Sequence, residues 1–171
     1  MKIFLSFVVV IVAALVIVYL VGPKPAKPKY DTQLPTLPEL ADLPAYIAQQ
    51  EAKHKVKPGN EAEIVWADST KSQSEYALVY LHGFSASKQE GNPAYNYLAK
   101  ALHANMYLAR LADHGLDTVA PMQYLTADRL WESAKQAYAI GKRLGKKVDP
   151  GWHFYWRNLG LTIGSHLPRC Q

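Results

Sequence analysis

Tyr76-Ala77-Leu78-Val79-Tyr80-Leu81-His82-Gly83 places six hydrophobic residues in an unbroken run before a histidine and a glycine. A strand with one wet face would alternate apolar and polar residues. An unbroken run suits a strand covered on both faces, as in parallel sheets flanked by helices. Gly83 is predicted to let the chain turn sharply where that strand ends.

The flanking segments support such a sheet. After a loop over 84–92, Asn92-Pro93 reads as a helix start, with Asn as N-cap and Pro in the first turn. Tyr97, Leu98, Ala101 and Leu102 are the predicted apolar stripe of that helix. Met106 to Leu111 reads as the next strand, followed by Asp113-His114-Gly115. Thr126 caps a long helix to about Leu144, with Leu130, Ala134, Ala137, Gly141 and Leu144 on one face. Gly145 is predicted to end it, with Lys146-Lys147 beyond. Val148 begins a third buried strand. Upstream, Glu61 to Asp68 reads as an outer strand carrying Ile64 and Trp66, and 69–74 as a turn. Strands alternating with helices in this order predict an α/β fold with a doubly wound parallel sheet. No internal repeat or low-complexity segment interrupts it.

Ahead of this domain, Ile3 to Val21 is uncharged and interrupted only by Ser6 and Tyr19. A helix of that length spans roughly 30 Å, the thickness of a hydrocarbon core. A signal peptide would have a shorter apolar stretch and a small-x-small cleavage site. Tyr19-Leu20-Val21-Gly22-Pro23 is a poor one, so residues 1–22 are read as a single-pass transmembrane anchor with the membrane as partner. The side of the membrane stays open: Lys24, Lys27 and Lys29 follow the span against Lys2 before it, while the short N-terminal tail resembles a signal-anchor. Residues 23–60 follow as a Pro-rich stalk and a short helix. Pro23, Pro25, Pro28, Pro35 and Pro38 favour an extended stalk holding the domain off the membrane. Asp42 and Pro44 open the helix, which runs to about His54, and 55–60 is a loop.

The net charge of +5 is not a nucleic-acid signal. Of 19 basic residues, four fall in 1–30 and two in 150–171, leaving 13 against all 14 acids in 31–149. No basic face remains to track phosphates, and nucleic acid is excluded as a partner. Cys170 is the only cysteine, so neither an internal disulfide nor a zinc cluster is available. No metal or cofactor motif is present.

A buried strand ending in His82-Gly83-Phe84-Ser85 resembles the oxyanion-hole loop of the α/β-hydrolase family. Arg110-Leu111 with His114-Gly115 resembles the family's segment after the following strand. The resemblance covers about residues 61 to 149, the N-terminal part of such a domain. It implies a partial sheet of the α/β-hydrolase type, preceded by one transmembrane helix, and a serine hydrolase of esterase or lipase kind. The N–H of Phe84 or Ser85 would help to hold the negative oxygen of the tetrahedral intermediate. His82 would orient the loop rather than transfer protons. The substrate class implied for intact relatives is an acyl or ester small molecule. Gly83-Phe84-Ser85-Ala86-Ser87 lacks the closing glycine of a nucleophile elbow and lies on the wrong strand.

The chain departs from the family after the long helix. An apolar strand and Gly-x-Ser-x-Gly are due there. The sequence instead reads Val148-Asp149-Pro150-Gly151-Trp152-His153-Phe154-Tyr155-Trp156-Arg157, and Asp-Pro-Gly is turn chemistry. One extra base after the Val148 codon accounts for this. Reread without it, Trp152 followed by His153 forces glycine, and Trp156 followed by Arg157 forces glycine again. Between them the codons admit Thr or Ile, Ser or Phe, and Thr or Ile, which includes Gly-Thr-Ser-Thr-Gly. Asp149 to Gly151 become compatible with Ile-Leu-Val, and Arg157 onward with Gly-Thr-Leu-Ala-Leu. Residues 150–171 are therefore read as an out-of-frame tail.

On this reading no catalytic residue can be assigned. His103 is read as a surface histidine, Asp113 and His114 are sequence neighbours with poor dyad geometry, and His153 and His166 belong to the tail. The expectation is a membrane-anchored protein of the hydrolase family, inactive as this chain. Its competitor is a membrane-tethered, non-catalytic interaction module with a Tyr-rich surface. Poor folding is expected of a sheet whose later strands are lacking.

Overall fold

A computed structural model describes residues 2–22, 24 and 27–149; the segment read as out of frame lies outside the described residues. Helix α1, Lys2–Val21, opens the chain. It is long and apolar enough to cross a membrane: its Phe4–Val21 window has a mean hydropathy of 3.2, with none of it buried.

The rest is a mixed α/β fold around an open four-stranded sheet. Its strands are β1 (Glu63–Val65), β2 (Ser74–Leu81), β3 (Asn105–Ala109) and β4 (Gly145–Asp149), in the spatial order β1-β3-β2-β4. β2 pairs in parallel with β3, Ala77 opposite Asn105 and Leu81 opposite Ala109. It also pairs in parallel with β4, Ser74 opposite Gly145 and Leu78 opposite Asp149. β1 pairs with β3 in the opposite sense, Glu63 opposite Leu108, so the sheet is mixed and not wholly parallel. Three residues at the sheet edge carry too little pattern to announce their direction.

Helices cover both faces, which explains the unbroken apolar run of β2. On one face Ala77, Val79, Leu81, Tyr107 and Ala109 pack with α2 (Leu43–Glu51) and α4 (Ala127–Leu144). On the other, Leu78, Met106 and Leu108 pack with Tyr95 and Ala99 of α3 (Ala94–Leu102). The face predicted for α3 is therefore corrected. Tyr97 and Leu98 are exposed, and the helix is seated by Tyr95 and Ala99, one turn apart. The Tyr95 ring lies 5.1 Å from that of Tyr80, and the small Ala99 admits close approach to the sheet. Its start also shifts by one residue. Pro93 is the N-cap, while Asn92 closes the short 3-10 turn Lys88–Gly91.

α4 behaves as read at both ends. Thr126 accepts the Arg129 N–H, and the helix stops at Leu144. Gly145 does not end it in a left-handed cap; its backbone is extended and opens β4 directly. A β-carbon there would stand 2.5 Å from the Ala77 nitrogen, so glycine is needed for close strand approach.

Part of the Pro-rich stalk does not stand free. Residues 29–39 lie along α4 as a strap. Asp128 accepts the Lys29 N–H at 2.7 Å, and Trp131 Nε1 donates to the Asp31 carbonyl at 2.5 Å. Lys135 Nζ donates to the Gln33 carbonyl at 3.0 Å, and Arg143 to that of Leu37 at 3.2 Å. The partners rise together in number, so strap and α4 run in the same direction. Lys135 is only 2% exposed. Burial alone would lower the pKa of its ammonium, but Glu132 and Asp31 outweigh that and hold it raised. α2 then buries Leu43 and Ile47 in the core, so it packs on the domain.

At the far end of the sheet, Asn105 joins three segments. Its amide accepts from the Ala67 N–H and donates to the carbonyls of Ser72 and Leu144, at 3.0, 2.8 and 2.9 Å.

Candidate functional site

β2 leads to α3 on one face of the sheet, and β3 leads to α4 on the other. From α4 the chain returns to β4 on the other side of β2, so the strand order reverses at β2, and open α/β sheets characteristically bind ligands outside the C-terminal ends of the strands at such a reversal. His82 to Ser85 follow β2 there, and Arg110 to Gly115 follow β3.

His82 ties the two ends together. Leu111 donates its N–H to His82 Nε2 at 3.1 Å, so that nitrogen holds a lone pair. The proton is on Nδ1, which donates to the Gly83 carbonyl at 3.0 Å. Both ring nitrogens are satisfied in the neutral form. Burial pushes the pKa down to about 4, against a smaller opposing effect of the Gly83 hydrogen bond. Such a group stays neutral at ordinary pH and has no lone pair free to take a proton from a ligand.

The Gly83 N–H is also engaged, donating to Glu90 at 2.7 Å. A β-carbon on Gly83 would approach both Glu90 carboxylate oxygens at 3.1 Å. The missing side chain thus makes room for a carboxylate. The sharp turn falls two residues later, where Ser85 has a φ of 62° and the Ala86 N–H returns to the Gly83 carbonyl at 3.2 Å. A left-handed serine is a strained choice, and such strain gathers at functional loops. Among the described residues, nothing accepts a hydrogen bond from the N–H of Phe84 or Ser85. Both residues are exposed.

His114 lies below this loop. Its ring centre is 4.9 Å from that of His82 and 5.9 Å from that of Phe84, which meets it edge-on. Nδ1 is 2.8 Å from the Ala112 carbonyl and must carry the proton. Nε2 is then an acceptor, buried and without a partner among the described residues. A buried lone pair of this kind wants a donor. The site thus offers two backbone donors in an exposed loop and, beside that loop, one buried acceptor nitrogen.

Charged residues hold the loop after β3 in place. Arg110 makes a two-point pair with Glu51 at 2.7 and 3.1 Å and donates to the His114 carbonyl at 3.2 Å. Asp113 turns from its neighbour His114 to make a two-point pair with Arg129, at 2.8 and 2.6 Å. Residues 110–114 therefore form no acid–histidine dyad. A cleft of about 550 Å³ between α2 and α4 is lined by these ion pairs, but neither His82 nor His114 lines it. His103 is exposed at the end of α3. No group of three or more His, Cys, Asp or Glu among the described residues is placed to hold a metal. No motif in the sequence points to Glu90, seven residues beyond Gly83, or to Glu51, 59 before Arg110. Their carboxylates reach the site only through the fold.

No protein-family model matches the chain, and no curated protein matches its sequence.

Proposed function

We propose that this protein is a membrane-anchored relative of the α/β-hydrolases, of esterase or lipase kind, whose nucleophile elbow is encoded one frame away. As translated, the chain then carries no serine hydrolase activity. The observation behind this reading is the register of β4. Each β4 residue lies opposite the β2 residue numbered 71 lower, as with Val148 and Ala77. A strand continuing at that offset brings position 154 opposite Gly83. Position 154 is the one that admits serine between two forced glycines when the extra base is removed. The restored nucleophile would thus emerge beside the Phe84 and Ser85 N–H groups, as attack on a carbonyl held by those donors requires.

α1 supplies the membrane half of the proposal, since an apolar helix exposed all round suits lipid. Deleting one base after the Val148 codon tests the catalytic half. A fluorophosphonate probe is expected to label the restored protein and to leave the present chain unlabelled. Covalent labelling of the present chain at any serine, or the lack of a serine elbow in the alternate frame of the source DNA, would overturn it.

A further inference from the structure

We propose that the end of the domain carrying His82 and His114 rests on the bilayer, with Val119 and Tyr124 as its apolar contacts. This rests on reading α1 as a membrane anchor and is independent of any catalytic role. The direction of the strap carries the argument. α4 follows β3 and precedes β4, so its N-terminus lies at the C-terminal ends of the parallel strands. The strap begins at that same end, where Lys29 meets Asp128, and finishes at the other, where Leu37 meets Arg143. The chain therefore enters the domain at the end that holds the site.

The length of the tether favours one end. Eight residue steps separate Val21 from Lys29, no more than about 26–29 Å even when fully extended. α4 has 18 residues and is about 27 Å long. With the opposite end of the domain on the bilayer, Lys29 would stand a full helix length above it, which uses nearly all of that length. With the site end down, no such extension is required.

The surface chemistry agrees. Outside α1, the described large hydrophobic residues that are exposed are Tyr30, Phe84, Tyr97, Leu98, Val119 and Tyr124. Four of them, Tyr30, Phe84, Val119 and Tyr124, belong to segments at the site end, and none is at the opposite end. Val119 is wholly exposed and Tyr124 is 73% exposed. Both belong to the loop between β3 and α4. Acids nearby are engaged: Asp117 pairs with Lys55 at 2.8 Å, Asp113 with Arg129, and Glu90 with the Gly83 N–H. Lys24, Lys27 and Lys29 leave the tether basic, as suits an anionic lipid surface.

Depth-dependent quenching tests this in the full chain. Cys170→Ser is combined singly with Val119→Cys, Tyr124→Cys or Lys71→Cys, the last in the turn before β2 at the opposite end. Each cysteine carries an environment-sensitive fluorophore, in phosphatidylcholine–phosphatidylglycerol vesicles containing nitroxide-labelled lipid. Emission at positions 119 and 124 is expected to shift to the blue and fall at least twofold, with position 71 unchanged. Quenching at 71, or at none of the three in chains that float with the vesicles, overturns the proposed surface and leaves the anchor standing. A chain that does not float overturns the anchor, and this surface with it.

Discussion

Leu111 donates its backbone N–H to Nε2 of His82 across 3.1 Å, although 29 positions separate them in the chain. This bond exists only while the ring is neutral, so it links the geometry of two strand ends to pH. The unfolded chain protonates this histidine near its ordinary 6.5, and the folded chain near 4. Between those values the unfolded state binds more protons, so stability falls as pH falls. The slope is about 1.4 kcal/mol per pH unit, and the full loss about 3 kcal/mol once pH 4 is reached. Urea unfolding of the full chain in detergent, from pH 7 to pH 4, is expected to show that slope. His82→Gln keeps an acceptor for Leu111 and should remove the histidine's share of it. An unchanged slope in the variant would show that other groups cause it.

Ser85 occupies a left-handed position at a φ of 62°. That conformation costs a side-chain-bearing residue about 1–2 kcal/mol, while glycine's extra freedom in the unfolded chain returns about 0.5–1. Ser85→Gly is therefore expected to raise stability by up to about 1 kcal/mol, and Ser85→Val to lower it. Thermal unfolding checks both, and a destabilised glycine variant would contradict the reading.

Asn105 holds its three segments from a buried position. Asn105→Ala takes the amide from all three, but the Leu144 carbonyl keeps the Ser74 hydroxyl at 3.2 Å, and Ala67 and Ser72 are exposed residues that water can reach. At about 0.5–1.5 kcal/mol net for each hydrogen bond lost, a loss of roughly 1–3 kcal/mol is expected. The denaturation midpoint should fall with little change in the urea dependence. A shift below half a kcal/mol would mean that these groups find water freely.

The strap depends on Lys135 for contacts to Asp31 and Gln33. Lys135→Met fills much the same volume without the charge, so the body of α4 should persist while the strap opens more often. Tryptic cleavage after Lys29 is expected to accelerate roughly tenfold, equivalent to about 1.4 kcal/mol in local opening. Equal cleavage rates with retained helical circular dichroism would rule this out.

The features legible in the sequence were those with local causes. β2 declares itself by an unbroken apolar run, and α4 by Thr126 at its start and a stripe through Ala134, Ala137, Gly141 and Leu144. The second buried side of α4, with Trp131 and Lys135, was not legible, because it packs against residues about a hundred positions away. The buried face of α3 differs from the expected one for a related reason. Tyr97 and Leu98 are as apolar as Tyr95 and Ala99, and only the seat on the sheet selects between them. At the site, His82-Gly83 stood out through its place after a buried strand. What His82 bonds could not be read, since Leu111 comes beside it only when β3 pairs with β2. The fit of Glu90 against Gly83 is local, seven residues along the chain, but it depends on how the loop after β2 folds back, which no periodicity announces.

The strap also has a mechanical meaning. A pull on Lys29 directed along the axis of α4 and away from the domain would draw on the strap lengthwise, because it lies parallel to that helix. Its attachments to Asp128, Trp131, Lys135 and Arg143 would then share the load in shear. Bonds loaded together in this way give way at a higher force than bonds that unzip one at a time.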